Sequence, residues 1–384
     1  MMIDVPIIMY HSVGTVDPRW QWHFLTIPWQ AFEDHLAFLQ ARGYRSITLA
    51  EFHAFKTGQA SLPAKPVVFT FDDGYLDNWV FAAPLLQRYG FRGTIFVNPD
   101  FVDPGETCRP TLEDCRAGRV REEDLPGLGF LSWAEMRAME RSGVMDIQSH
   151  AMTHTWYPAG PTIVDFRHPG DGFIWMGWNA APERKWDYLP DGARLPARYG
   201  EPVYEHQKSM ACRRYLPDPD LADHLAAAVA AAAAGFFERP DWRVELQREV
   251  VSHRQAHASN ERQETTDEYL ARLDAELGGA KRVIEEKLDK RVEFLCWPGG
   301  GYGPEALQIA RRYYKASTLA TADQGMPGFD ESGHFRIRRL GVPCLQKGTR
   351  YVYPGGRYLY HWIREAQGSR FHRMVRGALK LATA

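Results

Sequence analysis

The apolar and polar positions of the first 155 residues fall into two alternating rhythms. The segments 5–10, 65–71, 93–97 and 144–148 read as strands, 65–71 as a buried one, and the stretches between them carry apolar side chains at helical spacing. In 28–42, Phe32, Leu36 and Leu39 share one face, and 79–89 reads as a second helix. A third helix is marked by its ends: Ser132 with Glu135 three residues on makes a capping box, and the helix runs to Ser142 and stops at Gly143. Regular alternation returns after residue 262, with helix 266–288 broken at Gly278 and Gly279, strand 292–296, helix 304–314 and strand 335–340. Successive strand–helix units predict an α/β fold, a distorted parallel (β/α) barrel spanning 1–384 as one domain. Between 157 and 262 the rhythm is lost. Residues 166–215 are rich in Trp, Pro, Gly and Arg, and helices follow at 219–237 and from 242 to about 257. This segment reads as a mainly helical and irregular insertion covering one end of the barrel.

Composition adds little to this picture and charge adds more. Hydrophobic residues at 45% and charged residues at 24% are ordinary for a chain with a full core. The net charge of −2 hides an asymmetry, because residues 336–384 hold eleven Lys and Arg against the single acid Glu365. The basic C-terminal extension, 347–384, includes an amphipathic stretch, 359–382. Leu359, Trp362, Ile363, Phe371, Met374 and Leu379 recur there at roughly helical spacing between Arg364, Arg370, Arg373, Arg376 and Lys380. Two readings stay open: a terminal helix docked on the barrel, or peripheral contact with a membrane or a phosphate-bearing substrate. Five Cys without zinc-ribbon spacing, and a start lacking a basic n-region, predict reduced thiols and a cytoplasmic protein, with membrane association as a variant. No nucleic-acid partner is expected.

Three clusters sit where strands end, the place where α/β barrels put catalytic groups. The first is Thr70-Phe71-Asp72-Asp73-Gly74. Side chains alternate along a strand, so one carboxylate can bind a metal while the other handles a proton. The second is Ser149-His150 with His154, two imidazoles that share a face if the backbone turns helically and can then ligate one borderline metal. The third, from Cys296-Trp297-Pro298 through Gly299-Gly300-Gly301 to Tyr302, is a turn whose backbone can approach a substrate closely. Taken singly, each has a plainer reading: an Asp-Gly turn, a surface His pair, an ordinary loop.

Together these residues resemble the polysaccharide deacetylase family (NodB homology, carbohydrate esterase family four). The resemblance covers 1–155 and about 265–345. It implies that Asp72 is the general base and that Asp73, His150 and His154 bind a divalent metal, Zn²⁺ first, with Ni²⁺, Co²⁺ or Mn²⁺ as alternatives. Ile8-Met9-Tyr10-His11 further resembles the poly-N-acetylglucosamine deacetylase branch, which implies His11 as general acid. There are two departures. Cys296 stands where the family carries an Arg, and Gly299 where it carries a Tyr. Arg336, Arg338 or Arg339 could supply the missing charge. The Gly299 N–H can still serve as an oxyanion donor, since that needs no side chain.

The expected reaction is therefore N-deacetylation of an acetylated sugar in a glycan or glycan precursor. Trp297, Tyr302, Glu205, His206 and Arg338 are candidate substrate contacts, and the insertion's Trp175, Trp178, Trp186, Tyr188, Tyr199 and Tyr204 could stack on sugar faces or pack the insertion itself. Two rival readings are a C–N hydrolase of a small nitrogenous compound and an inactive carbohydrate-binding protein.

Overall fold

The computed structural model describes residues 5–189, 198–319, 328–342, 345–347 and 350–382. Met1 to Asp4 and Cys344 lie outside the described residues; Cys108, Cys115, Cys212 and Cys296 are free thiols. The central sheet is built from β1 (Ile7–Tyr10), β2 (Arg45–Ser46), β3 (Pro66–Phe71), β4 (Gly93–Val97), β5 (Met145–Ser149), β6 (Phe294–Leu295), β7 (Ala316–Thr318), β8 (Gly328–Phe329), β9 (Phe335–Ile337) and β10 (Leu340–Gly341). Their order is β8-β9-β7-β6-β5-β4-β3-β1-β10, with β2 also on β3. All pairings are parallel except β8 with β9. Near-continuous Val, Ile and Phe in β3 and β4 fit strands covered on both faces.

The ladder curls back on itself without continuous closure. β9 pairs with β7 at one end of the path and β10 pairs with β1 at the other, yet only Arg338 and Arg339 separate them in sequence. One extended segment thus bridges both ends of the sheet, and its two arginines fall at the join.

Most expected elements appear. The Ser132–Glu135 capping box and the left-handed Gly143 bound the helix Trp133–Ser142. The expected break at Gly278 and Gly279 is instead a wide helical turn, Ala275–Gly279, inside a continuous helix. Gly278 is required by packing, since a Cβ there would lie 2.5 Å from Tyr313 Cζ. The helix expected over 219–237 stops at Ala231, because Leu221 and Leu225 are its buried anchors and the alanines beyond have little to pack. Within the insertion, the antiparallel hairpin Trp156–Phe166 with Pro202–Lys208 was not expected; its Pro and Gly positions mask strand alternation.

The C-terminal stretch is two helices rather than one, Gly356–Ala366 and Arg370–Ala382. The first docks on the helix Trp29–Ala41, where His35 Nε2 meets Pro354 O at 2.8 Å and Gly356 N donates to Asp34 at 2.8 Å. The second lies on the first, with Arg376 paired to Glu365 and stacked 4.6 Å over Trp362, and leaves Phe371 and Met374 exposed. Among the described residues, no helix is long and apolar enough to cross a membrane.

Candidate active site

Register brings the first two clusters' neighbours together. Tyr10 lies opposite Phe71 in the β1–β3 ladder, and Asp72 N donates to Tyr10 O at 3.1 Å, so His11 and Asp72 leave adjacent strand ends side by side. β4 and β5 follow in order, and β5 delivers His150 to the same end of the sheet. β6 pairs with β5 through Leu295 and Ser149 and delivers Cys296 and the glycine turn.

Asp73 Oδ1 lies 3.1 Å from His150 Nε2 and 3.3 Å from His154 Nε2. This oxygen is buried, and among the described residues no group hydrogen-bonds to it. His150 Nδ1–H donates to Cys296 O at 2.8 Å, which fixes the ring and aims Nε2 at Asp73. An orphaned carboxylate oxygen between two imidazole nitrogens is a donor set suited to a divalent cation, and the three side chains fit one. Burial opposes ionisation of Asp73, but His150 and His154 outweigh it and hold the carboxyl below its ordinary value. Burial pushes His154 down to about 4, leaving its ring neutral. Burial also works against charge on His150, yet Cys296 and Asp73 draw a proton to it. Proton and cation compete for that nitrogen, and the carboxylate that attracts one attracts the other. The backbone here is bent for the purpose. Asp73, Ala151 and His154 all have positive φ, at 74°, 58° and 43°, a concentration of strain that marks functional sites.

Asp72 points elsewhere. Arg339 Nη1 and Nη2 donate to its two oxygens at 2.6 and 2.7 Å. Arg339 Nη2 also lies 3.0 Å from Cys296 Sγ, so the guanidinium occupies the neighbourhood where the missing Arg was expected. Of the three sequence candidates, Arg339 reaches Asp72; Arg338 lines the cavity instead. Burial would raise the Asp72 pKa, but the Arg339 guanidinium outweighs it and the carboxyl stays below its ordinary value. His11 Nε2 is 4.0 Å from Asp72 Oδ2, and the Asn78 side chain holds its carbonyl at 3.0 Å.

These groups form the floor of a cavity of 770 Å³. Gly299 and Trp297 line it. Gly299 has φ +52°, and a Cβ there would meet Lys208 at 2.9 Å. The walls are aromatic: Trp22, Phe24, Tyr75, Phe101, Phe130, Trp156 and Trp178.

The structure does not bring every expected contact here. Tyr302 stacks on Trp297 at 4.3 Å, behind the lining. Glu205 folds over Gly160 in the hairpin, and His206 packs against Trp175 at 5.0 Å. His334 is buried against Ser317 at 2.8 Å, away from the cavity lining. Of the insertion aromatics, Trp178 lines the cavity; Trp186 bonds Glu183, Tyr188 bonds Gln21 and Tyr204 packs on Tyr215. Trp22 and Phe24 were overlooked, although they follow His11 on the loop leaving β1.

Residues 59–168 match the polysaccharide deacetylase family. The protein YxkH of Bacillus subtilis (strain 168), whose name places it with that family, is 38% identical over 93 residues, which are 24% of this chain and 31% of YxkH. The poly-β-1,6-N-acetyl-D-glucosamine N-deacetylase of Escherichia coli (strain K12) is 27% identical over 149 residues, 39% of this chain and 20% of that protein. The chain thus aligns with less than a third of the length of either relative. Among solved structures, a de-N-acetylase from Aggregatibacter actinomycetemcomitans and the BpsB deacetylase domain from Bordetella bronchiseptica share the fold. Each has TM-score 0.50 and 17% identity, covers 88% of this chain, and is itself covered over 94% and 95% of its length. The similarity to the polysaccharide deacetylase family thus lies in residues 59–168, and the curated relatives include poly-β-1,6-N-acetyl-D-glucosamine N-deacetylases.

Proposed function

We propose that this protein is a metal-dependent N-deacetylase that removes acetyl from an N-acetylated sugar in a glycan or glycan precursor. The observation that carries the reading is Asp73 Oδ1 between His150 Nε2 and His154 Nε2, with an ionised Asp72 on the same cavity floor. A divalent cation held by Asp73, His150 and His154, with zinc favoured by two imidazoles and a carboxylate and Ni²⁺, Co²⁺ or Mn²⁺ compatible, supplies Lewis acidity toward water and the amide carbonyl. Asp72, kept ionised by Arg339, takes the proton of the attacking water. The backbone N–H of Gly299, which lines the cavity, donates to the developing oxyanion. His11, 4.0 Å from Asp72, gives a proton to the departing amine nitrogen.

Eight aromatic side chains among the described residues around a cavity of 770 Å³ favour a saccharide, whose ring faces stack on such walls. A small nitrogenous compound would leave most of that wall uncontacted. A cytoplasmic location, with a nucleotide- or lipid-linked precursor of a surface glycan as substrate, completes the proposal. The test is mass spectrometry of purified protein incubated with N-acetylated sugars, nucleotide sugars and oligosaccharides. Loss of one acetyl by wild type, absent in Asp72→Asn at unchanged metal content, is expected. No acetyl loss from any of them, or equal loss with Asp72→Asn, would overturn it.

A further inference from the structure

The loop carrying the two imidazoles can be accounted for group by group. His150 N donates to Val97 O at 2.9 Å, and Asn98 Nδ2 serves the carbonyls of His150 and Ala151. Ala151 N donates to Ser149 Oγ at 3.2 Å. Met152 N and Thr153 N donate to Glu276 Oε2 at 3.2 and 3.1 Å, and the Thr153 hydroxyl donates to Glu276 Oε1. Asp100 N reaches Met152 O at 3.4 Å. One carbonyl remains, that of Thr153, directly before His154, and Lys185 Nζ donates to it at 2.9 Å. Lys185 comes from the insertion. Its side chain is 1% exposed and is also paired with Asp100 at 3.0 Å. Glu276, 3% exposed, sits on the wide helical turn Ala275–Gly279, a kind of irregularity that often marks functional sites.

Thr153 is therefore gripped from opposite sides by a buried cation and a buried anion. The next residue, His154, holds a positive φ, a strained conformation that persists only where its surroundings enforce it. We infer that Lys185 is a positioning residue for His154, so that the insertion is a working part of the metal site and not only a cover over the cavity. The inference rests on the metal reading above. Lys185 is not one of the three ligands; its ammonium lies 5.6 Å over the ring of Phe101 at the cavity wall, and it reaches His154 through the Thr153 carbonyl, as outer-shell groups do for metal ligands.

The test is Zn²⁺ affinity, measured on the full chain against a competing chelator, for wild type, Lys185→Met, Lys185→Arg, Asp100→Asn and His154→Ala. Lys185→Met should bind about 10–100-fold more weakly, the usual penalty for losing an outer-shell partner. Lys185→Arg should recover part of the loss. Asp100→Asn keeps the bond to Thr153 and should stay near wild type, which tests the inference even if Lys185→Met does not fold. Unchanged affinity in Lys185→Met, or a loss in Asp100→Asn as large as in His154→Ala, would overturn it. Wild type that binds no Zn²⁺ more tightly than His154→Ala would instead refute the metal site itself.

Discussion

Replacing Arg339 by Met should raise the pKa of Asp72 and leave less of it ionised as a base. The two hydrogen bonds at 2.6 and 2.7 Å are the main force holding the carboxyl ionised, since burial alone pushes the other way. Both side chains are nearly enclosed, at 9% and 5% exposure, so solvent cannot take the guanidinium's place. Stranding one partner of a buried ion pair costs about 3–5 kcal/mol. At about 1.4 kcal/mol per pKa unit, the carboxyl escapes that cost by keeping its proton, and its pKa rises by about two units or more. A general base works only when deprotonated, so activity is lost below its pKa. The acidic limb of the kcat/KM profile on an N-acetylated substrate should therefore move to higher pH by about two units in Arg339→Met. Arg339→Lys should lie between, because an ammonium cannot make both parallel bonds. An acidic limb in Arg339→Met that coincides with wild type, whatever the fall in kcat, would refute the argument that Arg339 sets the ionisation of Asp72.

Other outcomes follow from the same geometry. His154→Ala should lose stoichiometric metal by elemental analysis, and occupancy equal to wild type would remove His154 from the ligand set. His11→Ala should depress hydrolysis of an unactivated acetamide far more than that of an activated acetate ester, because an ester leaving group needs little protonation; equal loss on both would send the search for the acid elsewhere. Asp77, buried beside Ser12 and Asn78, is pushed up to about 7 by burial, which outweighs those hydrogen bonds. Its folded pKa is above the unfolded value, so the unfolded chain ionises first. Wild-type stability relative to Asp77→Asn should fall between about pH 4 and 7, by up to about 1.4 kcal/mol per pH unit, and level off above. Urea unfolding of both proteins at several pH values checks this, and parallel curves would count against a neutral Asp77.

Legibility from sequence followed the range of the interactions involved. Strands β1, β3 and β4 were readable because each is a local apolar run and β5 because Met145 and Ile147 alternate with polar residues, and Asp72, Asp73, His150 and His154 because they stand at or just beyond the ends of such strands. The hairpin Trp156–Phe166 with Pro202–Lys208 was not, since its pairing spans some forty residues of irregular sequence and local alternation is broken by Pro158, Gly160 and Pro161. The same limit governs the aromatic wall. Nothing local distinguishes Trp178, which lines the cavity, from Trp175, which packs on His206.

Arg339 shows the limit most clearly. The charge expected at residue 296 arrives from a position 43 residues later, and no local pattern separates Arg339 from Arg336 or Arg338. Side-chain alternation does separate them once the sheet is known. The segment 335–341 pairs with β7 through its first half and with β1 through its second, so Arg338 and Arg339 stand at the join of the sheet. Neighbouring side chains on an extended backbone point in opposite directions. Arg338 is exposed at the cavity while Arg339 turns toward Phe96, Asp72 and Cys296. A thiol at 296 is small enough to leave the guanidinium room and can still share a hydrogen bond with it, so the departure at Cys296 and the arginine at the join are two sides of one arrangement. The requirement on this site is a cation against Asp72, and the fold meets it from whichever strand end lies within reach.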